Sequence, residues 1–73
     1  MTIEVTAFYD DEAEVWVAES DDVPGLITEA ATMEHLIERL KILIPELMEL
    51  NCNQTGSFPF HMVSERNAIA QAA

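Results

Sequence analysis

The side chains that could carry out catalysis in this sequence are few: one cysteine, two histidines and a group of carboxylates. Nucleophilic catalysis needs a serine or cysteine that a neighbouring base activates. Cys52 follows the predicted helix, and the dipole at a helix C-terminus disfavours the thiolate that would attack. His35 falls near a helix start and His61 on a strand, positions where lone histidines are mostly structural or solvated. The sequence therefore predicts a protein that is not an enzyme, with no catalytic residues.

The carboxylates near the N-terminus could in principle bind a hard cation. Asp10, Asp11 and Glu12, together with Asp21 and Asp22, lack the Asp-x-Asp-x-Asp-Gly spacing and the later bidentate glutamate of a calcium loop. The two histidines and the single cysteine are not spaced as a zinc ligand set. With only two glycines, the chain has no glycine-rich phosphate loop. We therefore expect neither a metal nor a cofactor.

Charge is the strongest compositional feature. Fourteen acidic residues against three basic ones give a net charge of −11. Such a surface repels phosphate backbones, so direct nucleic-acid binding is not expected, and it favours basic proteins as partners. The alternative is that the charge only keeps a small domain soluble. No lysine or arginine precedes Arg39, and we predict partner-binding residues in this N-terminal region: Asp10, Asp11, Glu12, Glu14, Trp16, Asp21 and Asp22.

A length of 73 residues allows one domain, residues 1–73. A chain this short buries only about 60% of the surface that its unfolded form exposes, so its core is marginal. Its single cysteine excludes an internal disulfide and fits a reducing compartment, which leaves oligomerisation as the expected source of extra stability. No signal peptide and no apolar run of about 20 residues is present, so we expect a cytoplasmic protein without a membrane span.

Alternating apolar residues predict two strands that form a hairpin. In the first, residues 2–9, the apolar side chains share one parity: Ile3, Val5, Ala7 and Tyr9. In the second, residues 14–20, we expect Val15 and Val17 to face the core. The polar segment between them is short, so the strands should pair antiparallel. Phe8 and Trp16 then lie on the polar face, where another element covers them or they form a contact site.

The rest of the chain contains a turn, a strand, a long helix and a last strand. Val23-Pro24-Gly25 suits a type II turn leading into a third strand, residues 26–31. Thr32 is the predicted N-cap of an amphipathic helix that covers one face of the sheet. Pro45 should either kink this helix or divide it, and the continuing apolar pattern favours a kink. Its apolar stripe comprises Met33, Leu36, Ile37, Leu40, Leu43, Ile44, Leu47 and Met48.

A loop, residues 51–57, leads to a fourth strand, residues 58–65, in which Pro59 indicates an edge position or a strand start. The predicted class is α+β, with the order β-β-β-α-β, an antiparallel sheet and one long helix on one face. We also expect a homodimer or higher homo-oligomer. Its contacts are predicted among large apolar residues: Phe8, Trp16, Phe58, Phe60 and Met62.

Three features in order resemble the HicB-like antitoxin domains of bacterial toxin–antitoxin modules. They are the acidic hairpin, residues 6–18, the turn Asp22-Val23-Pro24-Gly25-Leu26, and Ala31-Thr32-Met33-Glu34 at the helix start. Residues 40–51 are especially similar to short stand-alone relatives of unknown function. The resemblance, over residues 2–50, implies a cut-down RNase H-like fold without that fold's catalytic carboxylates. It also implies homodimers or higher oligomers, and the binding and blocking of a small basic RNA-cleaving toxin.

The sequence departs from typical antitoxins in one respect. Those proteins carry a further ribbon-helix-helix or helix-turn-helix module for operator DNA, whereas we expect no separate DNA-binding domain here. An alternative function therefore stays open: a stand-alone oligomeric domain that binds a small ligand or another partner. In both cases the expected role is binding rather than catalysis.

Overall fold

The computed structural model describes residues 2–72, so Met1 and Ala73 of the predicted domain lie outside the described residues. The elements are, in order, β1 (Ile3–Asp10), β2 (Val15–Glu19), β3 (Ile27–Ala30), α1 (Met33–Cys52) and β4 (Phe60–Glu65). The predicted α+β class and β-β-β-α-β order are confirmed. The third and fourth strands are shorter than predicted, since each begins one or two residues later.

The sheet has the strand order β3-β2-β1-β4. β2 pairs antiparallel with β1 and with β3, whereas β4 pairs parallel with β1. The sheet is therefore mixed, which corrects the prediction that it is antiparallel. The reason is the connection: α1 crosses over the sheet from β3 to the far edge, and such a crossover joins parallel strands. β4 is an edge strand preceded by Pro59, whose carbonyl oxygen accepts a hydrogen bond of 3.0 Å from the Ile3 N–H.

The hairpin register decides which side chains of β2 face the helix. Tyr9 lies opposite Trp16, and Ala7 lies opposite Ala18, so these pairs share one face. Ala18 is fully buried. The prediction that Val15 and Val17 face the core is therefore wrong, as is the prediction that Trp16 shares the outer face with Phe8. The loop over residues 11–14, where Glu14 is left-handed at φ 57°, sets this parity, and a slip of one residue would reverse it.

The helix begins and ends with capping hydrogen bonds. The Thr32 hydroxyl accepts from the His35 N–H at 3.2 Å, which confirms the predicted N-cap. The helix continues past Pro45 as one element, and its C-cap Asn53 is left-handed at φ 52°. The Asn53 N–H donates to Glu49 O at 3.2 Å, and the Gln54 N–H donates to Met48 O at 3.1 Å. Its apolar stripe buries four residues at spacings of four: Leu36, Leu40, Ile44 and Met48.

The turn after β2 anchors the far end of the helix to the sheet. Leu26 N–H donates to Val23 O at 3.0 Å and Gly25 has φ +83°, which confirms the predicted type II turn. Val23 is fully buried, and the Asn51 side chain donates to Pro24 O at 2.9 Å. The core thus lies between α1 and one face of the sheet. Its buried members are Ile3, Val5, Ala7, Ala18, Val23, Leu26, Ala30, Leu36, Leu40, Ile44 and Met48.

Candidate protein-binding face

Within the described residues 2–72, one face of the sheet carries no helix, and we call it the open face. Its positions follow from the strand registers, because residues directly opposite each other point to the same side. None of its side chains is buried. The open face consists of Glu4, Thr6, Phe8, Asp10, Val15, Val17, Glu19, Ile27, Glu29, His61, Val63 and Glu65.

The centre of the open face is apolar. Phe8 lies directly opposite Val17, with Val15 one position further along the same side of β2. Val63 lies beside Thr6 on the next strand, diagonal to Phe8. Phe8 is 39% exposed and Val63 49% exposed, although both are large apolar residues. This cluster resembles the centre of a protein interface, where aromatic and aliphatic side chains are concentrated.

Carboxylates surround that apolar centre. Glu29 and Glu65 lie at the two ends of the row that contains Val17 and Phe8. Glu4, Asp10 and Glu19 complete the rim. Within residues 2–72, no lysine or arginine occupies a strand position of the open face. The face is therefore apolar at its centre and negative around it.

The acidic residues predicted to bind a partner do not form one patch. Asp11, Glu12 and Glu14 lie in the hairpin loop at one end of β1, whereas Asp21 and Asp22 lie at the other end. The two groups are about 20 Å apart, given roughly 3.4 Å for each residue along a strand. The negative charge of the N-terminal region thus extends along the whole sheet.

Two of these carboxylates hold turns together. Asp10 Oδ1 accepts from the N–H groups of Glu12 at 3.0 Å and Ala13 at 3.1 Å. Asp22 Oδ2 accepts from the Glu4 N–H at 2.8 Å, and the Asp22 N–H donates to Ser20 Oγ at 3.1 Å. Aspartates commonly stabilise turns in this way. Asp10 and Asp22 therefore have a structural role whatever their part in binding.

Trp16 lies on the helix side and is half-buried. Its ring packs edge-on against Tyr9, with ring centroids 5.3 Å apart. The Arg66 guanidinium lies over the Tyr9 ring at 3.8 Å and within 5.9 Å of the Trp16 ring. This cation–π arrangement covers the aromatic pair. Trp16 is thus part of the packing of the helix side and does not contribute to the open face.

The residues predicted to form oligomer contacts fall on both sides of the sheet. Phe60 and Met62 lie opposite Ile3 and Val5, on the helix side, and are half-buried against the core, as is Phe58. Phe8 lies on the open face. No single contact surface can therefore contain all of them.

Groups with catalytic or ligand chemistry are dispersed. His61 Nδ1 lies 2.9 Å from Glu4 Oε2 on the open face, while Cys52 ends the helix. In the part of the chain that the structure describes, no three His, Cys, Asp or Glu residues are arranged to hold a metal ion. No helix within residues 2–72 is long and apolar enough to cross a membrane.

Sequence reasoning missed several residues of the open face, namely Ile27, Glu29, Val63 and Glu65. Each lies on β3 or β4. The register of these strands depends on the turn after β2 and on the crossover through α1, and alternation within a strand reveals neither. Alternation within β4 does separate His61, Val63 and Glu65 from Phe60 and Met62. That pattern alone does not tell which of the two sets faces the helix.

Comparison with known proteins agrees with the fold. Residues 2–72 match the family described as "Domain of unknown function (DUF1902)". The chain belongs to the DUF1902 family. The crystal structure of hypothetical protein TTHA1013 from the extremely thermophilic bacterium Thermus thermophilus is similar, with 46% sequence identity and a TM-score of 0.74.

The similarity covers 99% of this chain and 100% of that one. No curated protein matches the DUF1902 chain. The prediction of a short domain of unknown function is thus confirmed.

Proposed function

We propose that this DUF1902 domain is a non-catalytic binding module whose open face takes a basic protein partner. The observation that carries the proposal is the arrangement of that face, with an exposed apolar centre inside a rim of carboxylates. A sheet that packs a helix on one side normally presents polar side chains on its other side. Phe8, Val17 and Val63 depart from that pattern.

Charge supports a basic partner. Two of the three basic residues, Arg39 and Lys41, lie on the helix, and Arg66 is stacked on Tyr9 on the helix side. Within residues 2–72, the carboxylates at the rim of the open face consequently have no lysine or arginine beside them on the same strands. Complementary charge would steer a cationic protein to this face and would reject acidic proteins and nucleic acids.

The apolar centre supports a protein rather than a small cation. Small ions would interact with the carboxylates alone and would leave Phe8 and Val63 in water. A protein surface that inserts an apolar side chain between its basic residues would bury both and gain from the hydrophobic effect. The proposal therefore requires a partner with both features.

A more specific form of the proposal is an antitoxin-like role, in which the partner is a small basic RNA-cleaving toxin. The acidic open face supports it, together with the resemblance of the hairpin, the Asp22–Leu26 turn and the helix start to HicB-like domains. The proposed encounter takes place in the cytoplasm, because the single cysteine suits a reducing compartment.

The dispersal of the reactive groups supports a role without catalysis. Cys52 and His61 belong to different elements, the end of α1 and the edge strand β4. His61 is paired with Glu4, yet both side chains are 64% exposed, so no enclosed site surrounds them. A catalytic dyad needs a nucleophile within hydrogen-bond reach and a site that excludes water.

A second candidate function is small-ligand binding at the β3 edge. An open groove of about 630 Å³ lies there, and its lining includes Val15, Val17, Ile27 and Arg39. The volume is within the range of small-molecule sites. If an anionic ligand binds there, Arg39→Gln should abolish a ligand-induced rise in melting temperature that Lys41→Gln leaves unchanged.

The test of the main proposal is capture of partners from the source cell with matched variants of the immobilised domain. Phe8→Ser removes the aromatic centre, and Glu29→Lys with Glu65→Lys reverses the flanking charges. Leu50→Ser is the control, since Leu50 is a 79% exposed apolar residue on the helix. We expect the wild type and the control to retain the same basic protein.

With that protein purified, Phe8→Ser should raise the dissociation constant about tenfold or more, as central aromatic residues do in interfaces. Two results would contradict the proposal: an acidic protein as the partner that is retained, or a partner whose affinity for Phe8→Ser equals its affinity for the wild type.

A further inference from the structure

The helix covers the sheet unevenly. The backbone of α1 comes closest to β3 and β2, and within residues 2–72 it stays further from β1 and β4. Phe60 and Met62 on the helix side of the edge strand β4 are only half-buried, whereas Ile3 and Val5 beside them on β1 are buried. The β4 side of the domain therefore has both incompletely covered apolar side chains and a free strand edge.

The free edge can form a regular ladder. Because Ile3 N–H donates to Pro59 O, the odd-numbered residues of β4 direct their backbone groups towards β1. The even-numbered residues direct theirs away from the sheet: Phe60, Met62 and Ser64. Six residues are a full-length edge strand, and such an edge is a template for pairing with another chain.

Charge selects β4 over the other free edge for contact between two copies. Two chains of net charge −11 repel each other, so any contact between them must avoid the acidic regions. Residues 60–66 contain one acid, Glu65, and one base, Arg66, and are formally neutral. β3 carries Glu29 and lies beside Glu19 of β2, with no basic residue in either strand.

The segment after β4 supports the same conclusion. Residues 66–72 extend from the sheet without secondary structure, and Ile69 is 86% exposed. The chain measures 55 × 21 × 18 Å with a radius of gyration of 14.1 Å, against about 11 Å for a compact chain of this length. The segment follows β4 directly, and a chain that kept the direction of β4 would pass beside Phe58 and Phe60 of a copy that pairs antiparallel.

We propose that β4 pairs antiparallel with β4 of a second copy of this chain, around a two-fold axis at Val63. This register joins the outward backbone groups of Met62 to those of Ser64 in the second copy, and those of Phe60 to those of Arg66. It also places His61 opposite Glu65 of the second copy. The product is a continuous eight-stranded sheet, with both helices on one side and both open faces on the other.

The alternative register, centred on Met62, pairs Phe60 with Ser64, Met62 with itself and Arg66 with Phe58. It differs from the register centred on Val63 in the side chains that lie opposite each other. It also places His61 opposite Val63 instead of opposite a carboxylate. A histidine can form a hydrogen bond with a carboxylate on the opposite strand, and a valine cannot, so the register centred on Val63 is preferred.

The open face and the β4 edge share the side chains of His61, Val63 and Glu65. The dimer is nevertheless tested on the isolated chain, so the result does not depend on whether the open face binds a basic protein. The first test is the mass in solution by light scattering over a wide range of protein concentration. We expect twice the 8.2 kDa of one chain. Ser64→Pro removes a backbone N–H that points away from β1, so the hydrogen bonds between β4 and β1 stay intact. It should raise the dissociation constant of the dimer about tenfold or more.

Val63→Lys places two like charges across the axis and should also dissociate the pair. Ile27→Lys is its matched control, because Ile27 is a 68% exposed residue on the other edge strand. Circular dichroism of each variant checks that the helix persists. Wild-type protein that is monomeric throughout, or a dimer that both β4 variants leave intact, would overturn the proposal.

A second measurement fixes the register and does not depend on the stability of the variants. Opposed residues in a non-hydrogen-bonded antiparallel pair have Cα atoms about 4.5 Å apart, within the range of a disulfide. In a Cys52→Ser background, Val63→Cys should form a covalent dimer on mild oxidation, and Ile27→Cys should not. Failure of Val63→Cys to crosslink would rule out the axis at Val63.

Discussion

Replacing Ala18 by leucine tests the orientation of β2, on which the composition of the open face depends. Ala18 is completely buried and lies directly opposite Ala7, which is also completely buried. A leucine at position 18 would force three additional carbon atoms between the sheet and α1. Its neighbour Val17 points to the other side of the sheet, so Val17→Leu only enlarges an apolar side chain on the open face.

The expected magnitude follows from this burial. Overpacking a well-packed core costs about 1–3 kcal/mol. A domain of this size has a total stability of roughly 4–11 kcal/mol, so a loss of about 2 kcal/mol is a large fraction of it. It corresponds to a melting temperature lower by roughly 8–16 °C. Val17→Leu should change the free energy of unfolding by less than about 0.5 kcal/mol.

The assay is urea unfolding at equal protein concentration, followed by the circular dichroism of the helix. Ala18→Leu should lower the midpoint clearly, and Val17→Leu should leave it unchanged. The reverse result, with Val17→Leu destabilised and Ala18→Leu tolerated, would mean that Val15 and Val17 face the core as the alternation predicts. Val15 and Val17 would then not belong to the open face.

Three further outcomes are expected. Gly25→Ala should lower the free energy of unfolding in urea by about 1–2 kcal/mol, because Gly25 has a φ of +83°. The added Cβ would lie at an ordinary 3.6 Å from Asn51 Nδ2, so the cost comes from the backbone conformation. Gly25→Asn should therefore cost less, since asparagine tolerates this conformation better. Thr32→Ala should lose about 1 kcal/mol with the N-cap hydrogen bond, and Thr32→Ser should keep most of it. The association rate with a basic partner should fall as salt rises, and Glu29→Lys with Glu65→Lys should weaken that dependence; binding that is independent of salt would refute electrostatic steering.

Features of the fold that depend on local chemistry were predictable. The spacing of Leu36, Leu40, Ile44 and Met48 specifies the buried stripe of the helix, since it requires only the period of an α-helix. Pro24 and Gly25 specify the type II turn, because their φ angles are set by their own side chains or lack of them. Neither inference needs any knowledge of distant residues.

The orientation of β2 and the direction of β4 were not predictable in the same way. Alternation shows that a strand has two different faces, but the hairpin loop decides which face meets the helix. Val15 and Val17 are larger than Ala18, so size alone suggests the wrong side. The buried pair Ala7 and Ala18 instead lies on the side of the sheet that forms the core with the helix.

The candidate site was predictable only in its chemistry. An acidic, non-catalytic surface follows from composition, but its residues follow from the register of four strands. Asp10 and Asp22 illustrate the difference, since their charge suggests binding whereas their hydrogen bonds to Glu12, Ala13 and Glu4 hold turns. Charge reversal at these two positions would disturb folding, so Glu29 and Glu65 are the better probes of binding.

The central claim is that the open face binds a basic protein. The most direct test is a valine-methyl NMR titration of the domain with the basic protein recovered by capture. Among the valines, Val15, Val17 and Val63 lie on the open face, while Val5 and Val23 are buried in the core. The first three methyl signals should shift or broaden on addition of the partner, and the two core signals should remain nearly unchanged. Shifts confined to Val5 and Val23, or no change at Val17 and Val63 on saturation, would contradict the claim.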